Sequence, residues 1–213
     1  MPLASTGRRR VLQIAAAWAG MATGLPRAMA VPAAVAPVKE LCDALLRVMH
    51  AGSATPFAQR FAMLAPVIDR VFNLPAILQV SVGPTWSTLP PDQQAALLTA
   101  FRRYTVASYV NSFDNFNGQH FDIVPETRSL PNGEQTAQTR IVSSSGESHE
   151  LDYVMRQENG GWRASDVLAD GSISRVAVQR SDFRRLVAQG GAKALIDSLN
   201  KKTADLSGGA TLP

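Results

Sequence analysis

Cysteine is almost missing: Cys42 is the only one in 213 residues. A single thiol excludes an internal disulfide and leaves no thiolate pair for a zinc site. Histidine is nearly as scarce. His50, His120 and His149 stand apart, and none is spaced with a second His, a Cys or a carboxylate in a metal-binding pattern such as H-E-x-x-H. No P-loop, dinucleotide fingerprint or G-x-S-x-G elbow occurs, so neither a cofactor nor a nucleophilic serine is indicated. Gly146 does follow the run Ser143-Ser144-Ser145, but no glycine lies two residues before any of them, and the run reads as a hairpin turn. Long apolar runs are also missing. The uncharged stretch Val11 to Leu25 is fifteen residues, short of the roughly twenty that a helix needs to cross a bilayer.

That stretch has a different explanation. Arg8, Arg9 and Arg10 precede it as a basic region, and Ala28-Met29-Ala30 follows with the small residues a signal peptidase requires. Residues 1–30 are therefore expected to be a cleavable signal peptide, leaving a chain that starts at Val31. Gly7-Arg8-Arg9-Arg10-Val11-Leu12 also fits a twin-arginine pattern, so the general secretory and twin-arginine routes both remain open.

Removing the signal changes the charge argument. The whole chain has 21 Lys and Arg against 17 Asp and Glu, a net charge of +4. Residues 1–30 hold four of those arginines and no acid, so 17 basic residues face 17 acidic ones in the remainder. A formally neutral domain offers no net electrostatic attraction for nucleic acid or for an anionic surface.

The remaining residues suit one domain with a real core. After an Ala/Pro linker over 33–37, Val38, Leu41, Cys42, Leu45, Leu46 and Met49 paint one stripe of a helix, with Gly52 placed to cap it. Cys42 on that stripe is a packing residue. Thr55-Pro56 is expected to open a second helix, with Phe57, Phe61 and Leu64 inward, until Pro66 interrupts it. Ile68, Val71 and Phe72, then Ile77, Leu78 and Val82, suggest two short helical pieces divided by Pro75. Pro90-Pro91 opens the longest helix, whose apolar face runs through Leu97, Phe101 and Tyr104 to about Phe116.

The character switches at Gly118. Residues 119–123, 135–143, 150–157 and 162–168 read as strands, separated by the turn sequences Pro131-Asn132-Gly133, Ser145-Gly146 and Asn159-Gly160-Gly161. In the third strand, Leu151, Tyr153 and Met155 alternate with Asp152, Val154 and Arg156, which implies one covered face and one wetter face. Helix returns at Ser181-Asp182 with Phe183, Leu186 and Val187 inward, stops at Gly190-Gly191, and resumes with Ala194, Leu195 and Leu199. Residues 207–213 are expected to be a disordered tail. The order predicts an α+β fold, with helices on one face of a curved antiparallel sheet of about four strands enclosing an apolar cavity.

Acid–base chemistry would require Asp114, His120, Asp122, Asp152 or Asp166 to converge. Strand alternation more simply puts the last two on the solvent face or beside Arg156 and Arg163. No catalytic residue is assigned.

Several blocks in order carry a resemblance. Phe72-Asn73-Leu74-Pro75-Ala76-Ile77-Leu78 comes first, then Val82-Gly83-Pro84-Thr85-Trp86 ahead of Pro90-Pro91-Asp92-Gln93-Gln94. Leu151-Asp152-Tyr153-Val154-Met155-Arg156, Gly160-Gly161-Trp162-Arg163 and Asp166-Val167-Leu168 follow, and Gly190-Gly191-Ala192-Lys193-Ala194-Leu195-Ile196 closes the domain. Over about 150 residues the chain resembles the periplasmic phospholipid carriers of the MlaC, or toluene-tolerance, family. Tyr104 to Tyr109, Phe113 to Gln119 and Gly171 to Phe183 resemble its hopanoid-associated, HpnM-like branch.

The resemblance implies a non-enzymatic lipid-carrier domain over 31–206, with a phospholipid or hopanoid-type lipid as cargo. It implies partners in an inner-membrane ABC-type lipid transporter and an outer-membrane lipid complex, and monomer is the default state. From the helix faces expected to look at the sheet, the lipid-binding candidates are Phe61, Leu64, Phe72, Ile77, Leu78, Trp86, Phe101, Tyr104, Val154 and Val167. The rival readings are an envelope adaptor that binds no lipid and an acid–base enzyme acting on an apolar substrate.

Overall fold

A computed structural model describes residues 32–158 and 160–213. The expected signal peptide and the Asn159 position of the last hairpin lie outside the described residues. Helix α1 (Val35–Ala51) buries Val38, Leu41, Cys42, Leu45 and Met49 as its periodicity predicts. It begins inside the expected linker, because Pro37 falls in the first turn, where a missing amide leaves no intrahelical bond unmade. The Gly52 amide closes the helix on the Val48 carbonyl.

Helix α2 (Phe57–Val71) corrects the expected break at Pro66, since the helix runs straight through it. An interior proline costs about 3 kcal/mol, but residues on both sides of it are buried: Phe61 and Leu64 before, Val67, Ile68 and Val71 after. Each such burial contributes about 1.5–3 kcal/mol, so packing outweighs the lost bond. Thr55 does not cap this helix either; its hydroxyl donates to the Ala51 carbonyl, and Pro56 stands at the N-cap.

Asn73 separates α2 from α3 (Leu74–Val82), and its side chain caps α3 by accepting from the Ala76 amide at 3.0 Å. A 3-10 turn over 83–88 follows, then α4 (Pro91–Ser112), which stops short of the predicted Phe116. At the start of that turn Gly83 has φ +78, and a Cβ there would lie 2.6 Å from the Arg184 guanidinium. The positive φ is what favours glycine here, since the Arg184 guanidinium is the flexible end of its side chain.

Five antiparallel strands form an open sheet in the order β1-β2-β3-β4-β5. Strand β1 (His120–Ser129) continues beyond its predicted end, because an irregularity between Ile123 and Thr127 absorbs Pro125. Strands β2 (Gln135–Val142), β3 (Ser148–Glu158) and β4 (Gly161–Ala169) follow the predicted pattern. Strand β5 (Ile173–Ser174) is too short to show in periodicity. The helices cover the face that carries Ala137, Tyr153, Met155 and Val167. The opposite face is drier at its centre than alternation predicts. Thr136, Asp152 and Val154 are all buried there, and Gln138 donates its amide to Asp152.

Helix α5 (Arg175–Ser207) starts six residues before the predicted Ser181. The signal is Ser174, whose hydroxyl accepts from the Ala177 amide as an N-cap. Gly190 and Gly191 leave helical geometry. Lys202 reaches Asp182 at 2.9 Å across this break. Twenty helical residues would span about 30 Å, so the two arms of α5 fold back against each other as a helical hairpin. The segment 207–213, expected as a tail, follows this second arm: Leu212 packs at the core edge, and the Pro213 carbonyl accepts from Arg103.

The junction of α2 and α3 is hydrogen-bonded to the sheet. Phe72 pairs with Ala164 in a parallel bridge, and the Asn73 amide donates to the Ala164 carbonyl at 3.0 Å. The Asn73 side-chain amide also bonds the Glu158 carboxylate.

Candidate functional site

Between the sheet and the helices lies a cavity of about 250 Å³. Helix α4 provides one wall from Phe101, Tyr104, Thr105, Ser108, Tyr109 and Ser112. These positions recur every three or four residues and so share one helix face. Two of the hydroxyls in this wall are turned to the backbone: Thr105 donates to the Phe101 carbonyl at 2.9 Å, and Ser108 to the Tyr104 carbonyl at 2.8 Å. Each therefore presents carbon to the cavity, and its small size leaves space between the aromatic rings.

Phe72, Leu74 and Ile77 close the inner end. Leu151, Val167 and Ala169 supply the sheet side. The start of α5 supplies Arg175, Val176 and Gln179. Aromatic contacts stiffen this lining, with Phe72 to Tyr109 at 5.7 Å between ring centres and Tyr109 stacked on Phe113 at 6.0 Å.

Among the predicted candidates, Phe72, Ile77, Phe101, Tyr104 and Val167 line this cavity together. Phe61, Leu64 and Leu78 do not, because they are completely buried in the core behind it. Val154 lies on the opposite face of the sheet from Tyr153, and Trp86 sits half-buried in the 3-10 turn at the core edge. Sequence reasoning missed Thr105, Ser108, Tyr109 and Ser112 as lining. Their shared spacing with Phe101 and Tyr104 was the available signal, small hydroxyl residues alternating with aromatics on one face.

The electrostatics are those of a dry site. Burial pushes the Tyr109 and Tyr153 hydroxyls above the ordinary phenol range; the nearby Arg175 charge opposes this at Tyr109, while Tyr109 adds to it at Tyr153. The Tyr153 hydroxyl lies near that of Tyr109 yet finds no hydrogen-bond partner among the described residues. Burial also pushes the Cys42 thiol up to about 12.

The carboxylates and histidines do not gather into a catalytic group. His120 and Asp122 are exposed, 3.6 Å apart, on β1. Asp152 is buried on the far face of the sheet, and Asp114 lies beyond α4. Asp166 alone reaches the cavity lining. Its carboxylate accepts from the Val167 amide, the Val176 amide and the Ser174 hydroxyl, so it fastens α5 to the sheet. No group of three potential metal ligands occurs among the described residues. No helix among them is long and apolar enough to cross a membrane.

Comparison with curated protein sequences gives no match. Among solved structures, the fold is similar to a phospholipid-binding protein from Ralstonia solanacearum, determined in complex with a phospholipid. The TM-score is 0.69 at 20% identity, over 82% of this chain and 98% of that one. The profile of the MlaC protein family matches residues 39–201, which span helices α1 to α5 and the whole sheet. The chain belongs to the MlaC family.

Proposed function

We propose that this protein is a periplasmic phospholipid carrier that shuttles its cargo between inner and outer membranes. In this reading residues 1–30 are the export signal and 31–206 the carrier. It acts as the soluble component of an ABC-type lipid transport system, taking lipid from one membrane complex and giving it to the other. The observation that carries the reading is an apolar, aromatic-walled cavity in a member of the MlaC family. A similar fold in a protein crystallised with phospholipid supports the same cargo class.

The physics matches the need. Each exposed CH₂ costs about 0.8 kcal/mol in water, so a chain of about fifteen costs roughly 12 kcal/mol uncovered. The tail is what must be covered, while the polar head can stay at the water-facing rim. At about 250 Å³ the cavity lies just under the usual range for small-molecule sites, roughly 300–1,000 Å³. Lipid must therefore widen it. The resemblance to the hopanoid-associated branch keeps a hopanoid-type cargo as the alternative within the same function.

Native mass spectrometry of the protein purified from its own periplasm, with extraction of any bound lipid, tests this reading. A discrete phospholipid or hopanoid mass supports it and names the cargo. A protein that stays empty after incubation with host lipid extract favours the adaptor instead. Ser108→Phe, which fills the cavity from α4, is expected to abolish bound lipid at a stability cost of about 1–3 kcal/mol, read by urea unfolding; undiminished lipid in this still-folded variant would move the site elsewhere.

A further inference from the structure

We propose that Arg175 recognises the phosphate of the cargo at the cavity mouth. The protein therefore selects lipids with a phosphate-ester head over uncharged amphiphiles with the same tails. This inference rests on the carrier reading and adds the head-group chemistry to it.

The cavity has two chemically different ends. Phe72, Leu74, Ile77 and Phe101 are buried at the inner end, whereas Arg175 and Ser112 are exposed at the rim. An amphiphile lying along this gradient puts its tail inward and its head beside Arg175.

Arg175 is also available. Arg70, Arg102, Arg156 and Arg185 each hold a carboxylate. Arg175 makes no ion pair or hydrogen bond among the described residues, although it stands at the edge of the site. The one carboxylate in the lining, Asp166, is occupied by two amides and the Ser174 hydroxyl. Those bonds, with the Ser174 cap on Ala177, also use amides at the start of α5. What remains for an anion is the guanidinium, the only cationic side chain in the lining. Its planar fork matches two oxygens of a phosphate, a geometry that lysine cannot reproduce.

The test is a competition. Delipidated protein is incubated with equimolar palmitoyl-oleoyl phosphatidylethanolamine and palmitoyl-oleoyl glycerol in neutral detergent micelles. The bound lipids are then extracted and their ratio measured. Phosphatidylethanolamine has no net charge, so bulk attraction does not bias the result. The wild type is expected to prefer the phospholipid by about tenfold. Arg175→Gln should erase that preference and keep diacylglycerol binding, and Arg175→Lys should keep part of it. Inorganic phosphate alone should displace little lipid, because it lacks the tails.

Equal binding of both lipids by the wild type, or an unchanged preference in Arg175→Gln, overturns the inference and leaves the carrier reading intact. Ready displacement by inorganic phosphate overturns it in favour of a free-phosphate site. Binding of neither lipid overturns both.

Discussion

Tyr153 shows what a single buried hydroxyl contributes when nothing bonds to it. Its ring is fully buried and packs 6.3 Å from Phe72, while its oxygen has no partner among the described residues. An unmade buried hydrogen bond costs about 1–3 kcal/mol. Tyr153→Phe is therefore expected to leave stability unchanged or to raise it by about 1 kcal/mol in urea unfolding; a loss of similar size would reveal a bound water at that oxygen. Cys42 gives a second expectation at this scale. Burial pushes its thiol up to about 12, so at pH 8 it should resist a thiol reagent until the protein unfolds, and rapid labelling of the native state would contradict its placement. Adjacent residues also show where the sequence stops being legible. Ile77 and Leu78 look alike as apolar neighbours, but the turn of α3 points Ile77 to the cavity and seals Leu78 in the core. Periodicity finds the apolar side of a helix; only tertiary packing separates what lines a void from what fills one.

Among the elements, α5 has the largest departure from a simple helix. Gly191 sits at φ +65 and ψ −162, a region essentially reserved for glycine. Gly191→Ala is expected to cost about 1–3 kcal/mol, read as a lowered urea midpoint. The Gly190-Gly191 break was legible because two glycines interrupt an amphipathic pattern, while the continuity of α2 through Pro66 was not. The local rule against an interior proline is correct, and burial on both sides overrode it. The hairpin of α5 is also tied by charge. The hydrogen bond from Lys202, then Arg185, holds the Asp182 carboxyl below its ordinary value of 3.8. Its contribution is complete above that value and lost as pH falls through the lowered one. In urea titrations, Asp182→Asn should lower stability slightly at neutral pH and flatten the decline below about pH 4; an unchanged acid profile would remove the pair from the account. Lys202 also lies 5.8 Å from the centre of the Tyr104 ring, so this tie ends at the cavity wall.

For the molecule as a whole, the fold class was readable because strands and helices occupy separate stretches of sequence. The two-residue β5 was not, since it exists only by pairing with β4. The cavity belongs to this scale as well, being a space left between elements and carried by none of them. A lipid that binds only the native state should stabilise it by about 2.7 kcal/mol at a hundredfold excess over Kd. A thermal midpoint that does not move when phospholipid is supplied would count against the site.

The seam at Phe72, Asn73 and Ala164 has a directional consequence. A book bound along one spine opens only at its fore-edge. With α2 and α3 bound to β4 there, and the start of α5 fastened to β4 through Asp166, the layers part at the rim formed by the end of α4. Hydrogen exchange should then be slow at the Asn73 amide and fastest around Ser112. Cargo that goes in tail first by that edge leaves by it head first, so whatever receives the lipid meets its head before its chains. The hydrogen bonds that hold the other edges closed would thus set the order of delivery.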